Sequence, residues 1–187
     1  MIGFAMCGSF CTHAAALEQM RGLLSDGIEL CPIFSENVYG TDTRFGRAED
    51  LIREVRTLCG RQIIHTVTEA EPLGPTCPLE ALVICPCTGN TLAKLAAGIT
   101  DTAVTMATKA HLRSDRPLVI ALASNDALSA NLKNIGCLLN RKSVFFVPMK
   151  QDDPVKKPHS LVADFSLLRP ALDAAVRGEQ LGKIFLS

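Results

Sequence analysis

The sequence has no excess of charge of either sign, because 19 Lys and Arg residues balance 19 Asp and Glu residues over 187 positions. A nucleic-acid-binding domain normally carries a basic excess or stripe, so this balance argues against a nucleic-acid partner. A run of about 18 apolar residues, the signature of a membrane span, is also missing. The start of the chain shows no signal-peptide pattern, and we therefore expect a cytoplasmic location.

The spacing Cys-x-x-Cys is missing too, although the chain has eight cysteines. The most closely spaced pairs are Cys7/Cys11 and Cys85/Cys87, and neither spacing is typical of zinc ligands. Other cysteines lie within apolar runs, where cysteine packs as a small hydrophobic residue: Cys31, Cys59 and Cys137. We therefore predict reduced, buried thiols and no metal site. A redox or metal role for Cys7 and Cys11 is the alternative.

The remaining composition is that of an ordinary globular protein, with 48% hydrophobic and 20% charged residues. The length suits one domain with a sizeable core, so we expect a single domain over residues 1–187. One segment differs from the rest. Residues 149–160 are charged and contain prolines, which predicts a surface loop.

Short apolar runs alternate with segments of helical periodicity along the chain. The predicted strands are 2–7, 28–34, 79–85, 117–122 and 143–147, with a short one starting at 63. The predicted helices are 12–25, 48–58, 88–98, 101–113 with Asp101 as the cap, 126–139 and a C-terminal one at 165–176. Continuous apolar strands that alternate with helices indicate a mostly parallel sheet covered on both faces, a Rossmann-like three-layer α/β sandwich.

Ligands of such sheets bind beyond the carboxyl ends of the strands. Four predicted strand ends carry small hydroxyl or amide residues: Gly8 and Ser9, Ser35, the stretch PCTGNT at 86–91, and ASND at 123–126. The N-terminus of a helix with small residues can bind a phosphate group. Each of these stretches, taken alone, is also typical of a turn or a helix cap. A dinucleotide is disfavoured because G-x-G-x-x-G is missing. The four ends together predict a phosphorylated mononucleotide cofactor.

Residues 86–101, PCTGNTLAKLAAGITD, resemble the signature helix start of the flavin-binding decarboxylase superfamily, which includes phosphopantothenoylcysteine decarboxylase and the flavin prenyltransferases. The stretches TRFG, EAEPLGP, NDALSANLKNIG, FVPMKQDDPVKKPHSLVAD and GEQL are more narrowly similar to the family of dipicolinate synthase B subunits. The resemblance covers nearly the whole chain. It implies a Rossmann-like flavoprotein fold, assembled as a trimer or a multiple of it.

The resemblance also implies an activity and a partner. The dehydrogenase-like A subunit of dipicolinate synthase, expected to carry NAD(P), would act with this chain to oxidise the dihydrodipicolinate species to dipicolinate. The setting would be the mother cell of an endospore-former. The cofactor implied is FMN, and the positions implied for binding it are Gly8, Ser9, Phe10, Ser35, Pro86, Cys87, Thr88, Gly89, Asn90, Thr91 and Ser124.

A small dicarboxylate substrate needs cationic or amide donors, and arginine pairs with carboxylates in bidentate geometry. The candidates for substrate binding are Arg44, Arg113, Asn125, Lys156 and Lys157. Asn125 matches the residue that holds a substrate carboxylate in the decarboxylases. We take Asn125, Arg44 and Glu71 as candidate catalytic residues, with Glu71 as a general acid or base.

Two other functions compete with an oxidoreductase subunit. The decarboxylases carry a histidine where this chain reads Glu71-Pro72, so a non-catalytic accessory subunit of the same complex is one alternative. A stand-alone FMN-dependent decarboxylase or prenyltransferase-like enzyme is the other. The missing histidine and an eroded cationic site at Met106, Arg113 and Ser124 count against it.

Overall fold

In the computed structural model, which describes residues 1–74 and 76–186, seven strands form one sheet. The strands are β1 (Ile2–Met6), β2 (Leu30–Phe34), β3 (Ala81–Cys87), β4 (Leu118–Ser124), β5 (Val144–Phe146), β6 (Met149–Lys150) and β7 (Leu161–Ala163). The order across the sheet is β2-β1-β3-β4-β7-β6, with β5 also paired to β4.

Eight α-helices accompany the strands in the part of the chain that the structure describes. They are α1 (His13–Ser25), α2 (Glu36–Gly40), α3 (Ala48–Cys59), α4 (Val67–Ala70), α5 (Gly89–Ala97), α6 (Ala103–Leu112), α7 (Leu132–Leu139) and α8 (Leu168–Val176). Single 3-10 turns at Phe10–Thr12 and Phe165–Leu167 lead into α1 and α8.

The five strands β1 to β5 pair in parallel, and their register brings Ile2 beside both Leu30 and Ala81. Every residue of β1, β2 and β3 is buried, which explains why these strands read as continuous apolar runs. The chain leaves β1 towards β2 and returns to the other side of β1 with β3. The predicted fold class, a mostly parallel sheet between helical layers, is confirmed.

Successive strand residues point to opposite faces, so the sheet builds two hydrophobic cores. Phe4 and Met6 face the core that is completed by α1, α3 and α8. Ala5 and Cys7 face the core that is completed by α4, α5, α6 and α7. The sheet is therefore covered on both faces, and its carboxyl edge is where polar side chains collect.

The predicted surface loop begins at 151 rather than 149, because Met149 and Lys150 form a strand of the sheet. Met149 pairs with Ala163 and Lys150 with Val162, so β6 and β7 form an antiparallel hairpin around a loop of residues 151–160. β4 pairs with β5 through its first half and with β7 through Ala123 and Ser124. The hairpin thus brings its loop beside the carboxyl end of β4, an outcome that requires pairing between residues about forty positions apart.

Two helix boundaries differ from the prediction for physical reasons. The helix predicted from 126 begins at Leu132, because residues 126–131 form turns around the Asp126 side chain. The cap of α6 is Thr102 rather than Asp101, since Thr102 and Thr105 form a reciprocal capping box. Asp101 instead pairs with Lys94 at 2.9 Å. The short helices α2 and α4 carry too few residues to show periodicity in the sequence.

All eight cysteines are free thiols. Cys7, Cys31, Cys85 and Cys87 are buried as predicted, and burial raises the pKa of Cys7 to about 11, so it stays protonated at neutral pH. The prediction of burial is wrong for Cys11, Cys77 and Cys137, which are exposed, and Cys59 is only partly buried. Within residues 1–74 and 76–186, no helix has the length and apolarity to cross a bilayer.

Candidate functional site

A cleft of about 830 Å³ lies at the carboxyl edge of the sheet, where the ends of β1, β3 and β4 meet. Eight residues of these strand ends line it, and we call them the floor: Gly8, Ser9, Phe10, Thr88, Gly89, Asn90, Ser124 and Asn125. Side chains from two surface loops also line it, and four of these form what we call the rim: Arg44, Phe45, Asp152 and Lys157. The position matches the ligand site of open parallel sheets.

The first part of the floor is the turn after β1. Ser9 N–H donates to the Cys7 carbonyl at 2.8 Å, and Thr12 Oγ1 donates to the Ser9 carbonyl at 2.8 Å. His13 Nε2 lies 2.9 Å from the same Cys7 carbonyl. Burial lowers the pKa of His13, so the neutral ring donates this bond at neutral pH. The turn is therefore held in place before any ligand binds.

The second part of the floor is the start of α5. Thr88 is its N-cap and accepts a hydrogen bond from Thr91 N–H at 3.2 Å. Thr91 turns its hydroxyl inward and donates to Cys7 Sγ at 3.3 Å, which ties this helix to β1. The N–H groups of Gly89 and Asn90 have no acceptor within the helix, since they stand in its first turn. They offer the helix N-terminus to an anionic group.

The third part of the floor is the turn after β4. Asn131 Nδ2 donates to Asp126 Oδ1 and Oδ2 at 3.0 and 2.9 Å, and Ser124 Oγ also donates to Oδ1. The hydrogen bond from Ser124 is the main reason that the pKa of Asp126 lies below its ordinary value. The carboxyl group is therefore ionised at neutral pH. Asp126 and Ser124 both line the cleft.

Gly89 joins the second and third parts of the floor. A Cβ at this position would lie 2.4 Å from Ser124 Oγ, 2.6 Å from Asn131 Nδ2 and 2.7 Å from Asp126 Oδ1. No side chain has room there, so the backbone of α5 packs directly on the Asp126 network. This contact packs the start of α5 against the turn after β4.

The rim comes from loops at opposite ends of the sheet. Arg44 and Phe45 lie in a turn closed by hydrogen bonds between Thr43 and Gly46, with the Arg44 guanidinium 4.8 Å from the centre of the Phe45 ring. Lys157 lies in the β6–β7 loop and pairs with Asp152 at 2.6 Å. This bond raises the pKa of Lys157 and lowers that of Asp152, so both groups are charged at neutral pH.

Comparison with known proteins places the chain in a family. A family model described as "Flavoprotein" matches residues 6–164. The B subunit of dipicolinate synthase from Bacillus subtilis (strain 168) is 42% identical over 185 residues, which is 99% of this chain and 92% of the relative. The chain belongs to the flavoprotein family and, within it, to the dipicolinate synthase B subunits.

Solved structures agree with this flavoprotein assignment. The crystal structure of the dipicolinate synthase B subunit from Bacillus halodurans C superposes with a TM-score of 0.91 at 38% identity, covering 100% of this chain and 95% of the other. The FMN-dependent cysteine decarboxylase SpaF has a TM-score of 0.67 at 24% identity, covering 93% and 95%. The second likeness shows the fold alone.

Ten of the residues singled out in the sequence line the cleft: Gly8, Ser9, Phe10, Arg44, Thr88, Gly89, Asn90, Ser124, Asn125 and Lys157. Pro86 and Cys87 are buried within β3, and the Thr91 side chain points to Cys7. Ser35 is the N-cap of α2 and does not line the cleft, because β2 lies one strand further out. Lys156 is exposed beside Lys157, outside the cleft.

The structure does not bring Arg113 and Glu71 to the cleft. Arg113 follows α6, five residues before β4 begins, and its neighbour Arg116 donates to the Leu79 carbonyl at 2.7 Å. These contacts place it at the amino edge of the sheet, opposite the floor. Glu71 is exposed after α4, which packs against α6.

Sequence reasoning missed Phe45, Asp152 and Ser160, which line the cleft from the two loops, and Val162, which lines it from β7. Their neighbours Arg44 and Lys157 were found by charge alone. The signal that could have found the hairpin is the apolar run 161–163 after the charged loop, read as a strand that returns to the sheet.

The residues of the floor fit a flavin mononucleotide. Gly8 and Gly89 leave room for close approach of the backbone, and helix-start N–H groups together with Ser9 and Asn90 can donate to a phosphate. The cleft volume is in the range of sites for ligands of this size. Among the described residues, no group of three His, Cys, Asp or Glu side chains could hold a metal ion.

Proposed function

We propose that this chain is the FMN-binding subunit of a dipicolinate synthase and oxidises the dihydrodipicolinate species together with a dehydrogenase-like partner, the A subunit of that enzyme. The observation that carries the proposal is the full-length identity of 42% to a dipicolinate synthase B subunit, joined to a cleft at the strand ends with a neutral polar floor. The resulting product is pyridine-2,6-dicarboxylate.

The chemistry requires the removal of a hydride and a proton from the dihydropyridine ring. When bound, FMN supplies a hydride acceptor, and NAD(P) on the dehydrogenase-like partner is the second acceptor of the complex. The chain's own residues bind and orient. Gly8, Ser9, Thr88 and Asn90 would hold the cofactor phosphate, and Ser124 lies at the end of the same floor.

The substrate carboxylates would be held by the cations of the rim. Arg44 and Lys157 lie on loops from opposite ends of the sheet, and both line the cleft. Asn125, exposed after the end of β4, also lines the cleft and supplies an amide donor. Two cations with a neutral donor suit a planar dicarboxylate.

One observation favours a second candidate, a non-catalytic accessory subunit. The carboxylates that line the cleft, Asp126 and Asp152, both have lowered pKa values and are therefore poor general acids. Glu71, the candidate general acid or base, is outside the cleft. In this alternative the chain keeps the fold and activates the dehydrogenase-like partner.

Reconstitution separates the two candidates. This chain and the dehydrogenase-like partner are mixed with dihydrodipicolinate and NAD(P), with and without FMN, and pyridine formation is followed by absorbance. We expect product only with both proteins, a higher rate with FMN, and a large loss of rate in R44A and N125A. Full activity in both variants would favour the accessory role, and no FMN binding with or without the partner would overturn the cofactor proposal.

We also infer that the chain assembles as a homo-oligomer, a trimer or a multiple of it, and acts in the cytoplasm. The inference rests on the resemblance of the sequence to the flavin-binding decarboxylase superfamily. Light scattering of the purified chain measures its mass in solution, and a monomer at micromolar concentration would contradict it.

A further inference from the structure

The Asp126 carboxylate is the centre of a hydrogen-bond network that reaches the cleft at one point. Ser124 Oγ donates to Oδ1, and Asn131 Nδ2 donates to Oδ1 and Oδ2 at 3.0 and 2.9 Å. Asn131 is buried, and its Oδ1 accepts from Asn134 Nδ2 at 2.8 Å. The hydrogen bond from Asn134 therefore fixes the orientation of the Asn131 amide, with Nδ2 facing Asp126.

The direction of the Ser124 hydrogen bond follows from the charges. An ionised carboxylate is an acceptor only, and a serine hydroxyl has one hydrogen and two lone pairs. Because Asp126 is ionised and Asn131 presents its amide hydrogens to it, the Ser124 hydrogen must point to Asp126. The side of Ser124 that faces the cleft is left with lone pairs alone.

The hydrogen-bond network of Ser124, Asp126 and Asn131 cannot rearrange easily, because the backbone of Gly89 packs against it. A Cβ on Gly89 would lie within 2.7 Å of Ser124, Asn131 and Asp126 together, so the backbone of α5 closes the network from the side. A hydroxyl of a free serine rotates to suit its ligand. Ser124 does not have that freedom.

We propose that Asp126 is a positioning residue that keeps Ser124 a hydrogen-bond acceptor towards a ring N–H group of the bound ligand. The inference rests on the proposed function, since it takes the ligand to be a flavin. The oxidised flavin ring carries one N–H group, the imide N3–H. A serine that only accepts selects this edge of the ring and rejects a carbonyl edge.

Binding of FMN and of N3-methylated FMN tests the proposal, with affinity measured by fluorescence titration. We expect the wild type to prefer FMN by about tenfold, the value of one good hydrogen bond. S124A should lose this preference. D126N should lose it too, because an asparagine amide can donate to Ser124 and release its hydrogen to the cleft.

S129A is the matched control, because Ser129 lies in the same turn, is exposed, and bonds only the Asp126 carbonyl at 3.1 Å. It should keep the wild-type preference. A preference retained in D126N would overturn the proposal, since it would show that the methyl group is excluded by shape. Equal binding of both flavins by the wild type would overturn it as well.

A second measurement does not depend on flavin. The Asp126 carboxyl is titrated by carbon NMR in the ligand-free wild type and in S124A, and its pKa should rise when the Ser124 donor is removed. No rise would overturn the proposed bond. If the wild type binds neither flavin, the proposed function fails, and the titration still decides whether Asp126 holds the Ser124 hydrogen.

Discussion

The floor and the rim of the cleft are built in opposite ways. The floor stands on buried strands, its turns are closed by backbone and cap hydrogen bonds, and a glycine seals two of its parts together. The rim consists of exposed side chains on loops, and its best-defined contact is the Lys157–Asp152 ion pair. The floor residues are uncharged and rest on the hydrogen-bonded Asp126 carboxylate, whereas the rim is charged and adaptable.

The difference indicates a division of labour. A cofactor that stays through many turnovers benefits from a pre-formed cradle, whereas a substrate that enters and leaves needs groups that can move. The floor therefore suits FMN and the rim suits the dicarboxylate. Substitutions in the floor should lower both the free energy of unfolding and the affinity for FMN. Substitutions in the rim should weaken substrate binding alone.

The largest effect is expected from Gly89→Ala, because the new methyl group collides with Ser124 of the floor and with the Asn131 and Asp126 side chains that support it. Overpacking of this kind costs about 1–3 kcal/mol of unfolding free energy. FMN affinity should be lost together with stability, as measured by denaturant unfolding and flavin titration.

Gly136→Ala is its control. Gly136 lies in α7 with no atom within 4 Å of the added Cβ, so alanine should stabilise the helix by about 0.5–1 kcal/mol. Normal FMN binding by the Gly89 variant would contradict the assignment of the floor.

Lys157→Ala is expected to act on the rim only. The loss of a charged hydrogen bond to a carboxylate should raise the KM for dihydrodipicolinate roughly tenfold or more. Unfolding and FMN binding should stay as in the wild type, since Lys157 is exposed on a loop. Lys156→Ala, one position away and outside the cleft, should leave KM unchanged, and equal effects of the two variants would remove Lys157 from the site.

The response to pH should come from two buried histidines, His13 beside the floor and His111 at the amino edge of the sheet. Burial lowers the pKa of His13 and of His111 in the folded protein, whereas a histidine in the unfolded chain has a pKa of about 6.5. Below pH 6.5 the unfolded chain binds protons at these histidines that the folded chain does not bind. The stability that is present above pH 6.5 is therefore lost as the pH falls towards the folded pKa values.

The free energy of unfolding, measured between neutral and mildly acidic pH, should therefore decrease on acidification. His13→Gln, which retains a donor for the Cys7 carbonyl, should reduce the slope. A steeper slope in this variant would exclude His13 as a source of the effect.

The smallest effect is expected from Asp152→Asn. The pair with Lys157 is exposed, so its loss should leave the melting temperature within error of the wild type. The freed Lys157 charge should lower the KM for the dicarboxylate by no more than about fivefold. A clear fall in melting temperature would show that the rim is structural and would weaken the comparison with the floor.

Most of the floor could be predicted from the sequence, because it follows from local patterns and one topological rule. Apolar runs marked β1, β3 and β4, and small polar residues after them had to share the carboxyl edge of a parallel sheet. Ser9, Thr88 and Asn125 were found in this way. Ser35 also follows a strand of the parallel sheet, yet it lies outside the cleft. The order of the strands in the sheet cannot be predicted from a local sequence pattern.

The charged residues could not be placed in the same way. Arg113 and Lys157 were both predicted to bind the substrate, yet one lies at the amino edge and the other on the rim. Lys157 reaches the cleft only because β7 pairs with the end of β4, and Asp126 gained its role through Asn131 and Gly89. These contacts join residues that are distant in sequence or that lie in turns, and the hydrophobic periodicity of the sequence does not predict them.

The sequence by itself determined the layered sheet, the two apolar faces and the chemistry at three strand ends, because burial and helix starts are set by neighbouring residues. The tertiary structure alone decided which cations face the cleft, which cysteines are exposed, and the hydrogen-bond direction at Ser124. Each of these depends on strand order and side-chain packing, and both are settled only when the whole chain folds.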